Sequence, residues 1–384
     1  MKIRKAGIGV TVALGVVAAA AAAGMAVAGP GGSGDPGDVL KSGVTKAHAQ
    51  SKLPGVIGMV RDGADTRYAK AGWGDRFERK PADPHAKFRI GSNTKSWTAT
   101  VVLQLEAEGK LSLDDTVDHW LPGVVARNGN DGKHITLRQL LNQTSGLPDY
   151  LKDPRMQAFY VGDVNRNQRW EPRKLVDVAT AGKPHFKPGQ RWEYSNTNYI
   201  LAGMVIKAAT GHEPAEEVTK RIIRPLGLKH TTYPAADSEL HGDWLHGYTS
   251  LRDISFSNVQ ITGAAGAIVS TAHDLADFDR ALFSGKLLPA KQQHELETTV
   301  PTDKDHPKGA GYGLGVLRDS TECGEVWTHD GGALGYRSFW ASSPDGSRQA
   351  VVAGNEYHGT DDDKVDGPLG KALVNAYCAT APRS

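Results

Sequence analysis

The sequence predicts an α+β fold (an α/β sandwich), in which one antiparallel sheet built from both ends of the chain, with a terminal helix on its face, carries an inserted helical lobe. Three observations point there. Short strand-like runs lie near the N-terminus, at 56–61 and 66–71, and again after Lys308, at 312–316, 325–329, 336–342 and 348–354. Between these ends, helical patterns dominate from about 96 to 262. No internal repeat interrupts this plan. A sheet built from both ends would put the lobe on one side and a cleft between them.

Taken in order, residues 1–28 read as a Sec-type signal peptide. Met1-Lys2-Ile3-Arg4-Lys5 is basic, an Ala/Val/Gly run follows, and Ala26-Val27-Ala28 is a small-residue cleavage site. Residues 29–38 are a Gly/Pro-rich flexible spacer. The domain proper is expected over 39–378, with a tail at 379–384. It begins with a helix at 39–50 and a hairpin around Asp62-Gly63-Ala64-Asp65. Helices are expected from Ser96, over 135–142, 199–209, 213–223 and 274–283, and over 365–377 to close the chain. Pro344-Asp345-Gly346-Ser347 makes the turn between the last two strands.

Composition excludes several classes. Of 384 residues, 39% are hydrophobic and 23% charged, an ordinary globular balance. Signal cleavage removes three of the 45 basic residues against 43 acidic ones, which leaves the mature chain near neutrality. No basic run suggests a nucleic-acid surface, and no later apolar run is long enough to anchor the mature chain in a membrane. Cys323 and Cys378, the only cysteines, suit one disulfide in an exported protein. No His/Glu spacing indicates a metal, and no cofactor is expected: His212-Glu213 and His294-Glu295 lack a second histidine. No Gly-x-Ser-x-Gly elbow is present either.

The chemistry centres on Phe88-Arg89-Ile90-Gly91-Ser92-Asn93-Thr94-Lys95. Ser92 and Lys95 stand three apart at the start of a helix, so hydroxyl and amine share a face. The helix N-terminus adds unpaired N–H groups and positive dipole. Those are the parts of an acyl-transfer site. Tyr194-Ser195-Asn196 lies on a loop before the 199–209 helix, with a phenol to relay a proton and a carboxamide to orient substrate or lysine. His329 closes a strand, and Gly331-Gly332 behind it leaves a backbone that a substrate can approach closely.

In this order, Ser92/Lys95, Tyr194/Asn196 and His329/Gly331 resemble the penicillin-recognising serine hydrolases. The Tyr-Ser-Asn and His-led motifs resemble the class C β-lactamase branch, and most closely the secreted actinomycete D-alanyl-D-alanine carboxypeptidases. The likeness runs from about Val39 to Cys378 and takes in 88–109, 143–150, 194–204, 264–271, 311–315 and the cysteine pair. It implies the β-lactamase/transpeptidase-like architecture, an antiparallel five-stranded sheet flanked by helices plus an inserted all-helical lobe. Two features, at three positions, depart from the carboxypeptidase pattern. Asp330 and Gly332 stand where threonines are usual, and Leu317 replaces an arginine that would hold the substrate's terminal carboxylate. Arg318 or Arg337 is then the expected substitute anchor.

The resemblance implies a D-Ala-D-Ala carboxypeptidase acting on peptidoglycan stem peptides and acylated by β-lactams; the signal peptide adds secretion to the cell-wall side, and a monomer is expected. Ser92 would attack, and the Ser92 and Gly332 N–H groups would hold the oxyanion. Lys95, or Tyr194 as a phenolate, would take the proton, each with its pKa lowered by neighbouring cations, a protonated His329 among them. Asn196 would orient the acyl amide. Rival readings are a class C-type β-lactamase, a small-acyl esterase, and a non-catalytic wall-peptide-binding module.

Overall fold

The computed structural model describes residues 34–381, apart from 163–167, 169, 235–236, 258–259, 303–309 and 361. The expected signal peptide and the first half of the spacer lie outside the described residues. The second half of the spacer does not stay extended. Asp35 accepts a hydrogen bond from Gly37 N at 2.8 Å and so caps a helix α1, Pro36–Ser51, with proline at its first position.

The sheet draws on both ends of the chain. β1 (Gly55–Asp62), β2 (Asp65–Asp75) and β3 (Lys80–Pro81) come from the first. β4 (Gly311–Tyr312), β5 (Leu317–Thr321), β6 (Gly324–Ala333), β7 (Tyr336–Ser342) and β8 (Arg348–Gly354) come from the second. Their spatial order is β3-β2-β1-β8-β7-β6-β5-β4, each pair antiparallel. The two ends meet where β1 pairs with β8, from Val56↔Gly354 to Asp62↔Arg348. Five strands, β2, β1, β8, β7 and β6, are long and form the expected sheet; three short strands extend its edges.

Both faces of the sheet are covered, so its central strands are apolar on both sides. On one face α1 packs with the C-terminal helix, Asp363–Cys378, around Leu40, Val44, Val352, Leu369 and Tyr377. On the other, Ile57, Met59, Trp340 and Val351 join a larger core with α2, Thr94–Ala107. The same core takes in α3, Asn196–Thr210, and α4, Ala272–Phe283. Trp97 of α2 stacks on Phe278 of α4 at 4.0 Å between ring centroids. This pair ties α2 to α4, which itself packs on β7 and β8. The disulfide forms between Cys323 and Cys378, 5.4 Å apart at Cα, and ties the β5–β6 turn to the chain's last helix.

Two expectations shift. The helical pattern stops near Leu226; beyond it, up to 262, the described residues hold only the strand pair Tyr248–Thr249 and Arg252–Asp253. The strand expected at 312–316 breaks after Tyr312 and resumes at Leu317. A Cβ at Gly313 would sit 2.2 Å from Leu296 O, and Gly315 has φ +81°, so close packing overrides the apolar pattern.

Asp279 of α4 is fully buried, with no hydrogen-bond partner for either carboxylate oxygen among the described residues. Burial pushes it far above the carboxylate range, against the pull of Arg61. A raised folded pKa means the native state keeps a proton that the unfolded chain releases. Stability from this group is therefore present below the ordinary aspartate pKa and declines as pH rises above it. Asp279→Asn is expected to flatten that decline, gaining at least about 1 kcal/mol over wild type at pH 8 relative to pH 5 in urea unfolding. Equal slopes for both proteins would refute the assignment.

Candidate active site

Ser92 sits on a single 3₁₀ turn, Gly91–Asn93, that leads into α2 at Thr94. Gly91 makes the turn possible. It has φ +54°, and a Cβ there would stand 2.5 Å from Gly332 O. A Cβ at Gly331 would stand 2.0 Å from Ile90 O. Backbone therefore rides directly on backbone between β6 and the serine turn, and only glycines permit it. Side chains lock the turn from behind. Asn93 Nδ2 donates to Ser338 Oγ at 3.0 Å, and Ser96 Oγ donates to Asn93 O at 2.8 Å.

Lys95, one residue into α2, is fully buried. Its Nζ lies 3.0 Å from Ser92 Oγ, 2.8 Å from Asn196 Oδ1 and 2.9 Å from Ala265 O. Burial pulls its pKa down to about 7, although Asp149 and Asp330 act to raise it. Tyr194 OH donates to Ser92 Oγ at 2.7 Å, and Lys95 Nζ lies 4.7 Å from its ring centroid. Burial and Tyr312 push the Tyr194 phenol well above its ordinary pKa, with only its bond to Ser92 opposing. Of the two bases considered, the Tyr194 phenolate is therefore disfavoured. Desolvation, not a neighbouring cation, lowers the lysine.

The loop 143–150 holds the Tyr194 segment. Gln143 Oε1 accepts from Ser195 N at 3.0 Å, and Pro148 O accepts from Ser195 Oγ at 3.1 Å. Asp149, 8% exposed, takes Asn196 Nδ2 on Oδ2 at 2.9 Å and Leu151 N on Oδ1 at 3.0 Å. His329 is buried in the cleft wall. Nδ1 lies 2.6 Å from the acceptor Asp330 O, so it carries the hydrogen, and Nε2 accepts from Tyr312 OH at 3.1 Å. Desolvation brings its pKa down to about 4. It is a neutral imidazole at neutral pH, not the cation foreseen.

The anion anchors fare differently. Arg337 lines the cleft, yet its Nε and Nη2 grip Asp366 at 2.7 and 2.9 Å while Nη1 pairs with Asp330. Burial alone would raise Asp330, but Arg337 and His329 outweigh it and hold the carboxylate low. Arg318 does not line the cleft; its strand neighbour Leu317 does. Asp330 faces in, with its side chain 29% exposed.

The cleft brings together Ser92, Tyr194, Asn196, His329 and Gly332, with Trp192, Tyr312 and Lys152 in its wall. Over residues 38–375 the chain matches the model of the family described as Beta-lactamase. It belongs to that family. The β-lactamase family chain is 26% identical over 322 residues to penicillin-binding protein 4* of Bacillus subtilis (strain 168), a match covering 79% of this chain and 68% of that one. It resembles a D-stereospecific amidohydrolase from Streptomyces sp. at 41% identity and TM-score 0.80, covering 87% of this chain and 98% of that one. It also resembles the D-amino acid amidase of Ochrobactrum anthropi SV3 at 25% identity and TM-score 0.76, covering 90% and 98%. These likenesses fit a serine hydrolase of β-lactamase fold.

Asp149, Lys152 and Ala265 line the cleft, and Asp366 holds Arg337 from behind; sequence reasoning misses all four. Asp149 lies within a segment that carries the family likeness, but nothing in the linear order ties it to Asn196. The Ala265 carbonyl is backbone and has no side-chain signature at all.

Proposed function

We propose that this chain is an exported serine amidohydrolase that cleaves D-aminoacyl amides through an acyl-enzyme on Ser92. One observation carries the reading: Ser92 Oγ lies between an amine at 3.0 Å and a phenol at 2.7 Å. Lys95, neutral in half the molecules near pH 7, takes the serine proton as Oγ bonds to the substrate carbonyl carbon. The oxyanion is met by the N–H groups of Ser92 and Gly332. Tyr194, which remains a phenol, hands its proton to the leaving nitrogen and recovers one from the Lys95 ammonium. Water then attacks the ester by the reverse transfers, and Ser92 leaves with its proton restored.

Two facts favour an amide over a C-terminal peptide. Arg337 is already matched by two carboxylates, and Asp330, in the position that would face a substrate carboxylate, is negative. The amidohydrolase named above is also the structural relative with 41% identity. A second reading, the D-Ala-D-Ala carboxypeptidase, rests on Lys152. This half-buried cation lines the cleft, and its ammonium has no ion pair among the described residues. It would meet a terminal carboxylate there. β-Lactams present a similar carbonyl and are expected to acylate Ser92 in either case.

The test uses mature protein with D- and L-phenylalanine amide, a D-Ala-D-Ala peptide and a fluorescent penicillin. Ammonia release from the D-amide alone, at a kcat/KM at least about tenfold above D-alanine release, is expected. Predominant D-alanine release that falls in Lys152→Ala would transfer the assignment to the carboxypeptidase. Absence of any mass adduct on Ser92 would overturn both.

A further inference from the structure

Asn196 sits between two partners of opposite demand. On one side stands Asp149, whose carboxylate only accepts; on the other stands the Lys95 amine. Asp149 therefore takes the Asn196 NH2, and the carboxamide oxygen must face the lysine. That orientation constrains the base. A neutral amine has two hydrogens and one lone pair. Asn196 Oδ1 and Ala265 O are both acceptors, at 2.8 and 2.9 Å, and they take both hydrogens. The remaining tetrahedral direction, toward Ser92 Oγ at 3.0 Å, is left to the lone pair.

We propose that Asp149 is a positioning residue: by fixing the Asn196 carboxamide it aims the Lys95 lone pair at the Ser92 hydroxyl. This rests on Lys95 acting as the base. Asp149 acts through Asn196, whose carboxamide stands between it and the lysine. Its second oxygen is occupied by Leu151 N, on the short turn Tyr150–Lys152, so the carboxylate cannot swing away to another partner without losing that bond.

Were the amide reversed, its N–H would meet the lysine. The lone pair would turn to that donor, and one amine hydrogen would point at Ser92. The lysine would then donate to the serine instead of deprotonating it. Asp149→Asn permits this reversal, because the new amide can donate to Asn196 Oδ1. Its own oxygen still accepts from Leu151 N, so the loop keeps its anchor.

The experiment follows penicillin acylation and amide turnover from pH 5 to 10 in wild type, Asp149→Asn, Asn196→Asp and the double variant. The charged and titratable groups around Lys95 are Asp149, Asp330, Tyr194, Tyr199 and His329. Asp149→Asn is expected to lower kcat/KM about 10–100-fold, mostly in kcat, and to move the acid limb to lower pH because a negative neighbour is lost. The double variant exchanges the two groups. The amide introduced at position 149 would donate to the carboxylate introduced at position 196. That carboxylate can only accept from the lysine, so the acceptor facing Lys95 returns. Recovery of most of the acylation rate is expected, with the acid limb above wild type because the negative charge now adjoins the amine. Melting curves show whether each variant folds.

An Asp149→Asn protein with wild-type rates and an unmoved limb overturns the inference while leaving the Ser92 reading intact. So does a folded double variant no faster than the single one. Failure of wild type itself to form the adduct instead removes the reading on which the inference rests.

Discussion

Lys95→Met is expected to lower kcat/KM for amide hydrolysis and the rate of penicillin acylation by about 10³–10⁴-fold, the upper range for loss of a positioned general base. The methionine chain fills the same buried space without a basic nitrogen, so Ser92 keeps its seat and loses its proton acceptor. Wild type should show an acid limb with an apparent pKa near 7, since the ammonium form below it cannot accept the serine proton. In Tyr194→Phe that limb should stay, because the phenol is held protonated throughout, while the rate falls through loss of the donor to the leaving nitrogen. If the limb vanished in Tyr194→Phe and persisted in Lys95→Met, the roles of the two groups would have to be exchanged.

Removing the lysine should also change stability in a definite direction. Its folded pKa lies below that of an unfolded lysine, so the unfolded chain binds the extra proton between about pH 7 and 10.4. The native state gains stability as pH rises through that window, and Lys95→Met should abolish the gain. The active site carries a burial cost that the fold does not need.

The second large effect concerns the backbone beneath the nucleophile. Gly331→Ala would place a Cβ 2.0 Å from Ile90 O and close to Asn93 Nδ2, neither of which can withdraw without moving the serine turn. β6 must then shift away from Gly91, carrying the Gly332 N–H out of line with the oxyanion. A displacement near 1 Å is expected to cost about 10²-fold or more in acylation, at unchanged pH dependence. Stopped-flow labelling with penicillin measures the rate, and thermal melting reports the accompanying loss of stability. Acylation at the wild-type rate would show that the β6 backbone takes no part in holding the oxyanion.

Much of the fold was legible because its signals are local. The hairpin at Gly63, the strand runs at 336–342 and 348–354 and the closing helix each follow from periodicity and turn chemistry over a few residues. The strand that failed at Tyr312 did so because Gly313 and Gly315 are demanded by contacts with Leu296 and with Lys95 O, which a linear pattern does not contain. The candidate site divides in the same way. Ser92 and Lys95 were readable as neighbours because three residues of helix set their distance. Tyr194 and Asn196 were readable as partners of Ser92 and Lys95, while the groups behind them, Asp149 on Asn196 and Tyr312 on His329, were not.

The amino-acid order by itself determined which groups could do chemistry: one serine, one lysine three residues on, a tyrosine, an asparagine and a histidine ahead of two glycines. The tertiary structure alone decided their state. Burial makes the amine a base near neutrality, keeps the phenol protonated and the imidazole uncharged, and sets Arg337 against two carboxylates. Protonation follows from the solvent and charges around a group, and chain-distant residues such as Asp149, Asp330 and Asp366 supply those only after folding.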